Sequence, residues 1–397
     1  MYQLTNQVMD YPWGSVDAIP ELLGTAPTGR PQAEMWVGAH PSAPSRAITP
    51  GGEVALDELI ARSPADLLGA DVARRFGGRL PFLVKILSAA APLSLQVHPS
   101  KSQAERGYAA EDAAGKPADA ADRNYKDANH KPELLYALTP FEALCGFAPP
   151  ARSAALLERV REQSGPLGVL DALIADLAGA DESAALRGAT ERLLALDQAA
   201  AGELVAAVVG ACAGLDDPSA GTARELADDY PGDAGVVLSL LLNRVSLAPG
   251  EALYLPAGNI HAYLRGTGVE IMATSDNVLR GGLTSKHVDV AELVATLDFT
   301  AYDFAPDRPR VTGSGSVEFR PPVDDFALAV AEIAAGSGLR WVEPVPRTVI
   351  VLDGDISLAG AGGRLTLRRG ESAFVSSSDA PVDVSGTGRL AAGAPNI

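Results

Sequence analysis

Two hydrophobic rhythms divide this chain. From Ala151 to Asp229, apolar residues recur at three- and four-residue steps in ARSAALLERVRE, GVLDALIADLAG, AALRGATERLLAL and AAGELVAAVVGACAGL. That is the spacing of one helix face. Gly165–Pro166, Gly179 and Asp216–Asp217–Pro218 punctuate the pattern and mark helix ends. The stretch has no aromatic residue and no lysine, and it predicts a block of short amphipathic helices. On both flanks the rhythm changes. PLSLQVHP, KPELLYAL, GVVLSLLLNRVSL, EALYLP and TVIVLDGDISL alternate or are rich in β-branched residues, and Gly, Pro or Asp bounds each run. They predict strands, and many short strands with Gly/Pro turns fit a sandwich or jelly roll. Nothing reads as βαβ alternation and no glycine-rich phosphate loop opens a helix, which disfavours a nucleotide-binding core.

An internal echo supports a double unit. Val245–Pro256 (VSLAPGEALYLP) aligns without gaps against Leu365–Ser376 (LTLRRGESAFVS). Both read strand, Gly-Glu turn, strand, and a shared hairpin punctuation is the alternative to duplication. In such a duplication the first copy carries His261 where the second carries Pro381, and no histidine follows His287.

Length and charge narrow the function. The 397 residues exceed one ordinary domain and point to two or three packed units. Hydrophobic residues make up 47% of the chain, enough for a real core. Lys plus Arg number 32 against 50 Asp plus Glu, a net charge of −18. That field repels nucleic acid and anionic lipid, so an anionic small molecule needs a local cluster of cations. Cys145 and Cys212 are the two cysteines, which excludes a disulfide scaffold and indicates a reducing compartment. The N-terminus lacks the charged and apolar regions of a signal peptide, and no uncharged apolar run reaches a membrane span. A soluble cytoplasmic protein is expected.

Candidate chemistry collects at strand ends. In Leu93–Pro99, side-chain alternation puts Ser94, Gln96 and His98 on one face and Leu93, Leu95 and Val97 on the other. Such a polar stripe marks a surface strand or one lining a polar cavity. In Asp127–Tyr136 a polar cluster runs into an apolar strand; Pro132 belongs at its first residues, with Lys131 and Glu133 flanking on one face. Leu255–Tyr263 leaves a turn with His261 and Tyr263 two apart. A solvated rim explains each segment alone, whereas three polar-faced strand ends in one β unit point to convergence on a metal. Two imidazoles, a carboxylate and an amide oxygen suit Zn²⁺ or a similar divalent ion, and one charged ligand leaves the ion a strong Lewis acid. Arg280 and Lys286 follow in DNVLRGGLTSK, Lys101 follows His98, and Lys131 precedes Glu133. They are ordinary surface cations or a phosphate-sized patch, and beside a metal they imply a phosphorylated, oxygen-rich substrate.

At these residues the chain resembles the type I phosphomannose isomerases, zinc enzymes of the cupin superfamily. The matching stretches are YPWGS, AEMWVGAHP, PLSLQVHPSK, YKDANHKPELLYAL and HAYLRGTGVEIMATSDNVLRGGLTSKHVDV. The last hundred residues match only loosely. HPSK stands where the family commonly has HPDK, and KDANHKPE where a proline usually precedes the Asn, departures at the rim rather than at a ligand. The resemblance implies a mainly β cupin/jelly-roll double barrel with an all-α helical insertion. Its expected division is a catalytic core of residues 1–150 and 234–304, an insertion of 151–233, and a metal-free C-terminal barrel of 305–397.

It implies one Zn²⁺ per chain on Gln96, His98, Glu133 and His261. Arg280, Glu270 and Lys131 become the catalytic candidates, and Ser94, Lys101, Tyr263 and Lys286 the substrate-binding ones. The implied reaction interconverts mannose 6-phosphate and fructose 6-phosphate through an enediol(ate), in carbohydrate metabolism and GDP-mannose precursor supply. Glu270, a lysine or water on the metal are all eligible as the base. The implied partner is a small sugar phosphate, with neither nucleic acid nor membrane, and the chain is expected to act as a monomer, with an oligomer left open. Three other readings share the scaffold: an iron-dependent cupin oxygenase, disfavoured by Gln96 and by the lack of an HxH pair; a non-catalytic sugar-phosphate sensor; and an isomerase of another hexose phosphate.

Overall fold

The computed structural model describes residues 1–311 and 316–397. Its strands form two sheets, one of ten strands and one of eleven, and every strand pair is antiparallel. The architecture is mainly β, two jelly-roll units with a helical block between strands, as expected.

The ten-stranded sheet is organised by one long strand, His261–Ala273. Its first residues pair with Phe141–Phe147 and Leu95–Val97; its second half pairs with Phe82–Ala89 and Glu133–Ala137. The change of partners falls at Gly266, where φ is +127° and a Cβ would sit 2.6 Å from the Phe141 ring. Only glycine fits that bend. Leu279–Gly282 closes this end by pairing with Leu95–Val97.

The helical block is Pro150–Ser164, Gly168–Leu177, Glu182–Leu194, Gln198–Cys212 and Pro218–Asp229. Asp181, Asp197 and Asp217 cap three of these helices by accepting from Ala184, Ala200 and Ser219 backbone N–H groups, satisfying otherwise orphaned donors. The apolar faces share one core with Leu95, Val97, Leu144 and Phe147. The helices thus support the apolar side of the strand that carries Gln96. Among the described residues no single helix is long and apolar enough to cross a membrane.

One segment departs from the strand expectation. GVVLSLLLNRVSL is a strand only from Leu242; Gly235–Leu238 is α-helical and Ser239–Leu241 is a 3₁₀ turn. All seven residues before Leu242 are buried. An apolar run buried on every side has no alternation, so periodicity cannot separate helix from strand there.

The eleven-stranded sheet holds the C-terminal strands but also takes Tyr2–Thr5, Arg46–Thr49 and Gly52–Ala55 from the other end of the chain. The second barrel is therefore completed by N-terminal strands that the expected division placed in the catalytic core. It packs on the first through Phe326, Leu328, Ile350 and Phe374 against Phe82, Val84 and Ile271.

The echo is structural, and its members are not hairpins. Leu242–Leu247 pairs with Phe141–Phe147, while Ala252–Leu255 pairs with Glu133–Ala137. Likewise Gly363–Arg368 and Ser372–Val375 pair with different halves of Arg347–Gly360. The turns match bond for bond. Gly250 N–H donates to Ala137 O and Ala137 N–H to Glu251 O; Gly370 N–H donates to Val351 O and Val351 N–H to Glu371 O. The register puts Glu133 opposite Leu255 and Arg347 opposite Val375, so Arg347 occupies the second copy's position for Glu133. The strand that opens at His261 in one copy opens at Val382 in the other, just after Pro381.

At Gly393 the two units touch closely: a Cβ there would lie 2.7–2.9 Å from Ile271, Val84 and Phe82. Gly393→Val should lower stability by about 1–3 kcal/mol through overpacking. The expected readout is a lower urea midpoint at unchanged slope; an unaltered midpoint would show that the contact yields freely.

Candidate metal centre

Four strands bring the chemistry together. Gln96 lies opposite His261 on one side and opposite Arg280 on the other, so these three residues form one rank across the sheet. Glu133 enters as the first residue of the neighbouring strand, directly after Pro132, where proline does not interrupt the ladder.

His98 Nε2 is 3.3 Å from Glu133 Oε1, and His261 Nε2 is 3.4 Å from Glu133 Oε2. Gln96 brings its side-chain amide to 3.1 Å from His261 Nε2. Each histidine uses its other nitrogen on a backbone carbonyl: His98 Nδ1 donates to Asn277 O at 2.7 Å and His261 Nδ1 to Asn259 O at 3.0 Å. Those bonds leave both Nε2 lone pairs aimed at Glu133, the arrangement of metal-ligating histidines.

Burial completes the picture. His98, Glu133 and His261 expose at most 2% of their surface. Burial pushes His98 down to about 4 despite the adjacent carboxylate, so the ring is neutral and the His98–Glu133 contact is no ion pair. Burial acts to raise Glu133, but Lys131 and the imidazole edges outweigh it and hold the carboxyl well below its usual range. Even so, His98 Nε2 and Glu133 Oε2 have no hydrogen-bond partner. Buried polar atoms left this way are costly. Ligand atoms of His98, Glu133 and His261 lie within 4.8 Å of one another, so a divalent cation fits the set and pairs the orphaned atoms.

The other expected residues are distributed unevenly. Lys131 Nζ sits 3.1 Å from Glu133 Oε1. The Arg280 and Lys286 side chains have no ion pair or hydrogen bond among the described residues. Burial lowers Arg280, while burial and then the nearby Arg280 charge lower Lys286. In an acidic chain, two adjacent cations without a partner among the described residues have the chemistry to receive an anion. Lys101 stands at the rim, donating to Ala128 O and Asn129 Oδ1, and Ser94 is half-buried two residues before Gln96.

Two candidates sit deeper than expected. Tyr263 is 1% exposed and gives its hydroxyl to Glu270 Oε1 at 2.8 Å. Glu270 Oε2 is 3.2 Å from Lys85 Nζ, which commits its second oxygen as well. Burial and neighbouring carboxylates raise Glu270, opposed by Lys85.

Sequence reasoning missed Lys85. It is buried in the apolar strand Phe82–Ala89, between Glu34 and Glu270 and over the Trp36 ring; one lysine inside FLVKILSA was the available signal. It also missed His40, 3.5 Å from Asp276, and His130, 2.9 Å from Asp325 of the second barrel. Both line a cavity of 890 Å³ that also reaches Lys101 and Asn129. Asn277, whose carbonyl orients His98, gave only the clue of its place beside Arg280.

A double jelly roll with two imidazoles, a carboxylate and an amide around one buried point, beside free cations, defines a metal-binding cupin suited to an anionic ligand. Residues 1–150 match the phosphomannose isomerase type I catalytic domain, and residues 316–395 the mannose-6-phosphate isomerase cupin domain. The chain is 42% identical to the mannose-6-phosphate isomerase of Salmonella typhimurium over 98% of each chain. It is 33% identical to that of Homo sapiens over 84% of this chain and 82% of the human one. A zinc-bound crystal structure of mannose 6-phosphate isomerase superposes with a TM-score of 0.92 at 40% identity, covering 100% of this chain and 99% of the other. The chain belongs to the type I phosphomannose isomerase family.

The burial of His98 has a measurable consequence. In the folded protein it stays neutral down to about 4, while an unfolded histidine takes its proton near 6.5. Between those values the unfolded chain holds more protons, so stability falls as pH falls. The metal-free protein should therefore show a falling thermal midpoint from about pH 6.5 towards 4, with a shallower slope in His98→Asn. Glu133 adds its own loss only below its usual range. Parallel slopes for the two proteins would contradict a neutral, buried His98.

Proposed function

We propose that this protein interconverts mannose 6-phosphate and fructose 6-phosphate, with one Zn²⁺ held by Gln96, His98, Glu133 and His261. The observation that carries this reading is the pair of orphaned ligand atoms, His98 Nε2 and Glu133 Oε2, converging beside the unpartnered Arg280 and Lys286. Family membership supports it, since the curated relatives are mannose-6-phosphate isomerases at up to 42% identity over nearly the whole chain.

In the reaction the open-chain aldose loses the proton on C2 to a base, and the proton returns to C1 as the hydroxyl proton of O2 moves to O1. Negative charge grows on the sugar oxygens between those transfers. Arg280 is our candidate for stabilising it, since a preorganised donor in a buried site is worth far more than in water. Lys286 and Lys101 receive the phosphate, with Ser94 beside them at the strand end. Lys131 is our candidate for moving the proton, because it alone of the expected acid–base groups borders Glu133 directly. Glu270, with both oxygens committed, is read as the buried anion that holds Lys85 and Tyr263. Zinc, when bound, supplies a Lewis acid that polarises a substrate oxygen. The protein is proposed to work in the cytoplasm as a monomer, with the helical block and the second barrel as separate units around the catalytic one.

A coupled assay of mannose 6-phosphate conversion, run before chelation, after it and after zinc is restored, tests the reading. Activity should vanish and return. Absence of turnover in protein carrying one metal per chain would instead favour a sensor or another sugar phosphate. Arg280→Ala should lower kcat by about 10²–10³-fold at unchanged zinc content. Activity within about tenfold of the parent would remove Arg280 from the charge-stabilising role.

A further inference from the structure

His261 is held by a turn, Gly258–Asn259–Ile260, whose backbone is clamped on three sides. Gly258 N–H donates to His98 O, Asp298 N–H donates to Gly258 O, and Gly146 N–H donates to Ile260 O. The carbonyl that receives His261 Nδ1 belongs to Asn259. That residue is 7% exposed, and its side chain is fully engaged. Asn259 Nδ2 donates to Tyr302 Oη at 2.9 Å, and Asn259 Oδ1 accepts from Cys145 Sγ at 3.5 Å. The ring closes where Tyr302 Oη meets Cys145 Sγ at 3.1 Å.

Tyr302 has a seat made for it. Gly146 adopts φ +61°, and a Cβ there would fall 2.5 Å from Tyr302 Cε1 and 2.6 Å from Oη. Tyr302 N–H donates to Phe147 O, and its carbonyl accepts from Asn243 Nδ2 at 3.0 Å. The ring is thus anchored at both ends, in its backbone and at its hydroxyl.

We propose that Tyr302 is a positioning residue for the metal centre: its hydroxyl fixes Asn259, and the Asn259 carbonyl holds His261 in the tautomer and orientation that present Nε2 to the ion. The inference rests on His261 being a metal ligand and goes beyond it, since the Tyr302 hydroxyl bonds to Asn259 and Cys145 rather than to a metal-ligating side chain. Direct hydrogen-bond partners of a metal ligand change affinity by about 10–100-fold when lost, and Tyr302 acts on that partner, Asn259, from one step further out.

Tyr302→Phe removes only the hydroxyl and leaves the ring in its seat over Gly146. Metal-free wild-type and variant proteins are titrated with Zn²⁺ against a chromophoric chelator, and Co²⁺ is loaded to record its visible absorption. The expected result is about tenfold or more weaker zinc binding with an altered cobalt spectrum. Asn259→Ala should reproduce both effects, and the double variant should lose less than the sum of the two. Asn259→Ala also serves if Tyr302→Phe does not accumulate as folded protein. Zinc affinity within twofold of wild type and an unchanged cobalt spectrum, even with a lower thermal midpoint of the metal-free form, would assign Tyr302 a packing role and overturn the proposal. Failure of the wild-type protein to bind zinc would instead overturn the metal-site reading beneath it.

Discussion

A buried carboxylate organises this molecule. Glu133 is ionised, 2% exposed and placed at the start of a central strand. An isolated carboxylate in that position costs several kcal/mol even after relaxation, so its surroundings are arranged to compensate. Lys131 pairs with one oxygen, and the neutral His98 ring and the His261 ring face the carboxylate. A cation between them answers the oxygen that no protein donor reaches. The demands pass outward: each imidazole needs its second nitrogen tied down, and the carbonyls of Asn277 and Asn259 do that. Asn277 is itself held by Asp127 and Asn129. One strand-width away, Lys85, Glu34 and Glu270 form a second buried charge set.

The second barrel shows the same frame without that constraint. The Gly-Glu turns and strand registers coincide, yet Arg347 stands at the position of Glu133. Its guanidinium is spent on Glu343 and Val345 carbonyls, the Glu343 carboxylate and the Trp341 ring. Around it the barrel interior is filled by Val349, Val351, Ile356, Leu358 and Leu367. This unit contributes packing against Phe82 and Ile271, and it reaches the catalytic unit's rim through Asp325 on His130. It is built partly from strands at the start of the chain, which ties the N-terminal segment to the C-terminal one.

The linear order of residues carried a good deal of this. Local rhythm distinguished the helical block from the strands, because helix and strand periods differ and the two types of segment are long enough to show them. Alternation put Gln96 and His98 on one side of Leu93–Pro99, and they stayed there because slipping by one residue would bury polar groups and expose Leu95 and Val97. His98, Glu133 and His261 were legible because three polar-faced strand ends pointed to one centre, and the family resemblance added Gln96 to them. Arg280 and Lys286 were visible because cations are scarce against an acidic background.

Other features depended on folding. Gly235–Leu241 is buried on every face, so no local alternation records whether it is helix or strand. Lys85 and Tyr263 took their roles from Glu270, which meets both by its position on the bent His261–Ala273 strand. The joining of Tyr2–Thr5 to Ser372–Val375 and the ring of Cys145, Asn259 and Tyr302 are contacts between residues far apart in the chain. By itself the sequence determined strands and helices wherever a segment shows a period, and which residue types are available as ligands, since both follow from local spacing and side-chain chemistry. Tertiary structure alone decided which charges are buried together and which are left free for a ligand, because desolvation and pairing exist only once distant strands meet.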